Sequence, residues 1–351
     1  MRNDLHIAVV GATGLVGETM LELLADAQFP PESVSALASA ESAGKRLRYA
    51  NGYLTVVDAD SFDFSKAQVT LFSAGSSVAK KLAPVAAACG CLVIDNSSAF
   101  RNDDDKLLLI PEINGALLDE LPRDRGAIIA NPNCSTIQML MVLAPLQQAF
   151  GIRRINVSTY QALSGAGRKS MERLGRHSVD RLSMREPAVT SGEHCMAFDL
   201  WPQIDTLQEN GYTGEEMKMR NESRKILAAP ELQVNATAVR VPVFNGHAMS
   251  VHVECMQPLA LSAVHACLQQ MPGVSVMDMS QHWPSPVQCS GEDDVFVGRL
   301  RHDLGNPAAI NCWIVADNIR KGAALNAVQI MQRWLQYSTS DSLTPQQAVV
   351  V

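Results

Sequence analysis

Leu5-His6-Ile7-Ala8-Val9-Val10-Gly11-Ala12-Thr13-Gly14-Leu15-Val16-Gly17 opens the chain and decides how the rest is read. Leu5 to Val10 is a nearly unbroken apolar run, as expected of a central parallel strand covered on both faces. Three glycines follow, and then Glu18 to Ala25 reads as a helix with Met20, Leu21, Leu23 and Leu24 as its apolar residues. A second strand, Val34-Ser35-Ala36-Leu37, comes next. Strand, glycine-rich turn, helix and strand is the order of a dinucleotide-binding unit. The glycines permit a tight turn and let the backbone approach a pyrophosphate at the helix N-terminus. The spacing is GxxGxxG rather than GxGxxG, so the flanking elements carry the reading against that of a plain strand-to-helix loop.

The segment Ala38 to Arg46 lies where the adenosine ribose is read in such units. An acidic residue there pairs with the 2′-hydroxyl of NAD, whereas basic and hydroxyl residues accommodate the 2′-phosphate of NADP. The loop offers both, with Glu41 beside Ser39, Ser42, Lys45 and Arg46. Further buried strands are expected over Gln68–Ser73 and Leu92–Asp95, with a helix from Val78 to Cys89 between them. Small residues close these strands, Ser73 and Gly75 after the first and Asn96-Ser97-Ser98 after the second, at the sheet edge where open α/β folds bind ligands. Arg101 follows the second edge and is a candidate for phosphate or carboxylate binding, the alternative being an ordinary surface arginine.

At 351 residues the chain is long enough for two domains. A hydrophobic content of 47% and a charged content of 19% belong to a globular protein with a large core. The net charge of −7 argues against nucleic acid or an anionic membrane as the main partner. No signal peptide or membrane-spanning run is visible. The eight cysteines show neither CxxC spacing nor a Cys/His metal pattern. The expectation is a cytoplasmic protein with reduced thiols and no metal.

A second stretch carries chemistry. Ile128-Ile129-Ala130-Asn131-Pro132-Asn133-Cys134-Ser135-Thr136-Ile137 reads as a buried strand, a turn and the start of a helix. Asn133 is a good N-cap, which places Cys134 where free N–H groups and the helix dipole favour a thiolate. A nucleophile and a buried structural thiol are both open on this stretch alone. The helix after it is apolar on all sides and is expected to be buried. Beyond it come an alternating strand over Ile155–Gln161, the turn Ser164-Gly165-Ala166-Gly167 and a helix over Arg168–Leu182. A helix begins at Gly214, with Glu215 and Lys218 three apart, and alternating strands lie around Arg240 and after His247. These strands suggest an α+β second domain with antiparallel pairing. The polar and then small and apolar tail, residues 338–351, is expected to be loosely ordered.

Taken in order, GATGLVG, NSSAFR, NPNCST, YQALSGAG, EEMKM followed by NES, RVPVFNGH and ADNIRKGAALNAVQI resemble the bacterial type of aspartate-β-semialdehyde dehydrogenase from about residue 6 to 335. The resemblance implies an N-terminal Rossmann-like dinucleotide-binding domain over 1–131, completed by a terminal helix over 318–337, and an α+β catalytic and dimerisation domain over 132–317, of the glyceraldehyde-3-phosphate dehydrogenase-like type. It implies a homodimer that reduces β-aspartyl phosphate to aspartate β-semialdehyde with NADPH. By the same resemblance Cys134 is the nucleophile, His247 the acid/base and Gln161 the residue that orients substrate. Asn133, Glu215, Lys218, Arg240 and Arg101 would bind substrate, with Glu215 on the ammonium, Arg240 on the α-carboxylate, and Lys218 and Arg101 on phosphate. Gly11, Thr13, Gly14, Leu15, Val16, Ser39, Ser42, Ser73, Gly75, Ser164, Gly165 and Asn318 would line the cofactor. The backbone N–H groups around Cys134 would stabilise the oxyanion. Glu41 departs from the family pattern and opens the way to NAD, since a carboxylate repels a 2′-phosphate. A catalytically silent paralogue is the alternative from another class. A related reductase of N-acetylglutamyl phosphate is disfavoured by Glu215, because an acetamide needs no carboxylate.

Overall fold

The computed structural model of the chain describes residues 5–189, 194–277 and 283–340. They form two compact units, one of Met1–Thr13, Met20–Asn131 and Asn326–Val351, the other of Gly14–Thr19 and Pro132–Leu325.

In the first unit the elements are β1 (Ile7–Val10), α1 (Leu15–Asp26, from Met20 on in this unit), β2 (Val34–Ala38), β3 (Arg46–Tyr49), β4 (Gly52–Thr55) and β5 (Val57–Asp58). They are followed by β6 (Val69–Phe72), α2 (Ser76–Ala88), β7 (Leu92–Asp95), β8 (Leu107–Leu108), α3 (Pro111–Asn114) and β9 (Ala127–Ala130). Seven strands make one sheet in the order β5-β2-β1-β6-β7-β9-β8, and every pairing in it is parallel. The strands β1, β6 and β7 are buried along their whole length, which is why they read as unbroken apolar runs. The chain goes from β1 to β2 on one side and to β6 on the other. The sheet therefore changes winding direction at the C-terminal end of β1, where doubly wound sheets open a ligand crevice. Gly11 stands at that end with φ +82°, and a Cβ there would lie 2.8 Å from the Ser73 carbonyl carbon. Only glycine meets both demands.

The second unit contains α4 (Cys134–Phe150), β10 (Ile152–Gln161), α5 (Arg168–Leu182), α6 (Gly214–Ile226), β11 (Gln233–Arg240), β12 (His247–Cys255) and α7 (Leu261–Gln269). It continues with β13 (Val274–Val276), α8 (Pro286–Cys289), β14 (Val295–His302) and β15 (Ala309–Ala316). Its six-stranded sheet has the order β11-β10-β12-β15-β14-β13. The pairing is mixed, not antiparallel throughout as expected. β10 runs parallel to β11 and β13 parallel to β14, while the other pairs are antiparallel. The reason lies in the connection. α5 and α6 intervene between β10 and β11, and a helical crossover returns the chain in the same direction. The core of α4 is buried continuously from Ser135 to Leu143, as its all-round apolar pattern requires.

The end of the chain departs from expectation at both limits. Arg320–Ala324 forms a π-helical turn, and the regular terminal helix α9 runs from Leu325 to Ser340, beyond the expected end at residue 337. In the first unit, Asn326 Nδ2 donates to Leu109 O (3.0 Å) and to Asn131 Oδ1 (2.7 Å). Arg123 Nη1 donates to Trp334 O at 2.9 Å. From residue 341 on, the tail lies outside the described residues.

Candidate active site

Cys134 is the first residue of α4, and Asn133 caps the helix. The cap's Oδ1 accepts from Ser135 N (3.0 Å) and Thr136 N (3.3 Å). This narrows one expectation. Two of the backbone N–H groups meant for an oxyanion are already committed to the cap, as good N-caps require. Asn133 is itself held on two sides. Its N–H donates to Glu222 Oε2 (2.7 Å) and its Nδ2 to Glu215 Oε1 (2.9 Å). Glu222, buried in α6, escaped the sequence reading. The available signal was its place seven residues after Glu215, two helical turns along the same face.

Glu215 Oε1 also accepts from Gln161 Nε2 (3.2 Å), which donates to Ser135 Oγ as well (2.8 Å). The three residues therefore form one buried network around the first turn of α4. Lys218 Nζ lies 3.4 Å from Glu215 Oε2. The i,i+3 pair is thus present, but Glu215 is only 5% exposed and does not belong to a solvated face.

Arg240, at the end of β11, is the hub. Its Nη1 donates to Ala162 O at 2.7 Å. Burial lowers its pKa, and the charges of Cys134 and Glu215 oppose that fall. The same guanidinium acts on His247, whose pKa is lowered to about 3 by complete burial first and by Arg240 second. His247 Nδ1 accepts from Ala162 N at 3.1 Å, so the ring proton belongs on Nε2. That Nε2 is buried and has no hydrogen-bond partner among the described residues. A Cβ built on Gly165 would lie 3.1 Å from it and 3.2 Å from Arg240 Nη1. Gly165 thus keeps a gap open between a neutral N–H donor and a guanidinium.

The loop before His247 is fixed by Asn318. Its Oδ1 accepts from Gly246 N (3.0 Å) and from Ser164 Oγ (3.0 Å). Gly246 has φ +83°, and a Cβ there would lie 2.8 Å from Pro286 O. Ser164, Gly165 and Asn318 are therefore gathered at the histidine. The π-helical turn contributes Gly322, where an added Cβ would lie 3.0 Å from Cys134 Cβ. π-Turns recur where a functional site needs one residue displaced from the regular helix. Here the turn brings bare backbone against the thiol residue, a contact that nothing in the local sequence announces.

The depressed His247 pKa has a measurable consequence. The folded value, about 3, lies below the ordinary histidine value of 6.5. As pH falls below 6.5 the unfolded chain takes up this proton first. Stability present above 6.5 is therefore withdrawn by up to about 1.4 kcal/mol per pH unit until about pH 3. In the His247→Gln variant, unfolding free energies from urea titrations between pH 4.5 and 6.5 should show a shallower pH slope than the wild type. An unchanged slope would mean that the histidine is not buried as a neutral ring.

In the first unit, a cavity of about 550 Å³ opens at the C-terminal ends of β1 and β2. Gly11, Thr13, Ser39, Glu41, Asp58, Asp60, Ala74 and Val78 are among its lining residues. Gly14 precedes α1, and Leu15 and Val16 begin it. Ser73 Oγ donates to Gly11 O at 3.1 Å, and Gly75 is the N-cap of α2. Ser42 Oγ accepts from Lys45 Nζ at 3.1 Å. Arg101 is buried in this unit, its Nη2 donating to Asn96 O at 2.7 Å.

A doubly wound parallel sheet in one unit and a mixed α+β sheet in the other are the two parts of the glyceraldehyde-3-phosphate dehydrogenase-like class. Residues 6–121 match the profile of the semialdehyde dehydrogenase NAD binding domain, and residues 143–321 that of the semialdehyde dehydrogenase dimerisation domain. Over 335 residues the chain is 47% identical to the aspartate-semialdehyde dehydrogenase of Shewanella sp., covering 95% of this chain and 98% of the relative. It is 48% identical over 335 residues to that of Legionella pneumophila, covering 95% and 96%. Among solved structures it is similar to aspartate semialdehyde dehydrogenase II from Vibrio cholerae complexed with ASA. That match has TM-score 0.91 and 44% identity, covering 95% of this chain and 99% of that one. The chain belongs to the aspartate-semialdehyde dehydrogenase family.

Proposed function

We infer that the chain catalyses the reversible, NADP-dependent reductive dephosphorylation of β-aspartyl phosphate to aspartate β-semialdehyde, a step toward lysine, threonine, methionine and diaminopimelate. Near-full-length identity to enzymes of that one name supports the reaction. The observation that carries the mechanism is the gathering of Cys134, Glu215 and His247 around Arg240.

On this reading the Cys134 thiolate attacks the acyl carbon. The carbon–oxygen bond to phosphate breaks, phosphate leaves, and a thioester remains. A bound nicotinamide would supply the hydride to the thioester carbon, and the carbon–sulfur bond then breaks, releasing the aldehyde and returning the Cys134 thiolate. His247 Nε2–H faces the gap beside Gly165 and gives its hydrogen bond to the oxygen that becomes negative, taking the donor role left open by the capped backbone N–H groups. Arg240 grips the α-carboxylate with its planar fork, and Glu215 holds the ammonium. Gln161 and Asn133 fix Glu215 and orient the substrate. Lys218 and Arg101 are the phosphate cations.

The cavity beside Gly11 suits the pyrophosphate and adenosine of a dinucleotide, with Gly11, Thr13, Gly14, Leu15, Val16, Ser39, Ser42, Ser73 and Gly75 as the groups that would hold it. Ser164, Gly165 and Asn318 would serve the nicotinamide end. Ser42 and Lys45 suit a 2′-phosphate, but the carboxylates of Glu41, Asp58 and Asp60 line the cavity and oppose one. NADP is therefore the expected cofactor, with NAD accepted as well. The profile of a dimerisation domain favours a homodimer. Among the described residues no helix is long and apolar enough to cross a membrane, and the proposed location is the cytoplasm.

The test is steady-state kinetics with aspartate semialdehyde, phosphate and each oxidised cofactor. Phosphate-dependent turnover is expected, with kcat/KM for NADP and NAD within about two orders of magnitude of each other. No turnover with Cys134 reduced would support the silent paralogue. Strict NADP use would remove the role given to Glu41.

A further inference from the structure

Lys218 lies between two carboxylates, and the nearer one is not on its own helix. Its Nζ is 2.7 Å from Asp205 Oδ2 and 3.4 Å from Glu215 Oε2. Asp205 belongs to the irregular segment before α6 and has φ +71°, a left-handed conformation that costs energy for any residue but glycine. Its Oδ1 accepts from Thr206 N at 2.8 Å, leaving Oδ2 to face Lys218. A Cβ added to Gly214, the first residue of α6, would lie 2.7 Å from that same Oδ2. Gly214 N donates to Thr206 O at 2.8 Å, which ties the segment to the helix start. A strained backbone, a missing side chain at the helix start and an anchored carboxylate together deliver one oxygen to Lys218.

We propose that Asp205 is a positioning residue that keeps Lys218 from closing tightly on Glu215, leaving the Glu215 carboxylate available to the substrate ammonium and Lys218 in place for phosphate. The proposal rests on the functional reading above. Glu215 and Lys218 share one helix face at i,i+3 spacing, and the Glu215 side chain is only 6% exposed. Without a competitor the ammonium closes on that carboxylate, because attraction grows as water is excluded. A closed pair would neutralise Glu215, and an incoming ammonium would then have to displace Lys218. Asp205, 39% exposed at its side chain, holds the lysine at the more solvated end instead. Lys218 in turn lowers the pKa of Asp205, so the carboxylate stays charged.

The test uses Asp205→Asn in the full chain. The KM values for aspartate semialdehyde and for phosphate should each rise about tenfold, while kcat stays within about twofold, the pattern of lost binding common to ground and transition states. The KM for NADP should not move, and Asp205→Glu should recover part of the loss. In the wild type Lys218 Nζ makes only a long hydrogen bond to Glu215 Oε2, at 3.4 Å, and a crystal structure of Asp205→Asn should show that bond shortened to about 2.8 Å. Unchanged KM values, or a loss confined to kcat or to thermal stability, would overturn the proposal. A wild-type protein inert toward aspartate semialdehyde would sink the functional reading instead, and the position of Lys218 in Asp205→Asn would still decide what Asp205 does.

Discussion

Replacing Cys134 with serine should lower turnover of aspartate semialdehyde by about three orders of magnitude or more, since a hydroxyl at neutral pH offers almost no ionised nucleophile and members of a catalytic unit act together. The substitution is nearly isosteric. The cap of α4 is made by Asn133 through Ser135 and Thr136, not by the residue at 134, so the fold should survive. The measurement is steady-state turnover alongside thermal unfolding. Loss of turnover with an unchanged midpoint supports a thiol nucleophile. Wild-type turnover would reduce Cys134 to a structural thiol near the helix start.

Arg240→Leu should lower kcat/KM for aspartate semialdehyde by about 10²- to 10³-fold, since a charge-assisted bidentate contact to a carboxylate is lost in a site with little water. The effect should lie mostly in KM, because the α-carboxylate is remote from the reacting carbon. Arg240→Lys should restore little, because an ammonium cannot reproduce the planar fork. The leucine variant has a second expected signature. Arg240 lowers the His247 pKa, and removing that charge lets the imidazole protonate at a higher pH. An NMR titration of the His247 ring should show an upward shift. A kcat/KM within about threefold of wild type would remove Arg240 from the substrate site.

Much of this was legible in the chain, for identifiable reasons. A parallel strand buried on both faces has to be apolar throughout, so β1, β6 and β7 announced themselves. Asn133 was legible as a cap because capping is local chemistry, decided within three residues. The mixed sheet was not legible. β10 and β11 pair in parallel across an intervening stretch of more than seventy residues, and alternation in a strand says which face is buried without saying which way its neighbour runs. Asp205 was hidden in a segment without periodicity, since its partner lies on another element and its own conformation breaks the local pattern. Gly322 was hidden because a π-helical turn has no sequence signature comparable to a cap. The oxyanion expectation is narrowed for a related reason. The asparagine that marks the helix start also takes two of the N–H groups, those of Ser135 and Thr136, that the helix start would otherwise offer.

The first unit is assembled from separate lengths of chain, and its last length is Asn326–Val351. Asn326 bonds to Leu109 and Asn131, positions made some two hundred residues earlier. During synthesis the usual order, N-terminal part first, is therefore inverted. The second unit has all its residues in hand once Leu325 is added, whereas the parallel sheet of the first unit waits for the final helix. A chain cut just before Asn326 would hold the whole second unit but lack the helix start that bonds to Leu109 and Asn131, a target for quality control instead of a weaker enzyme.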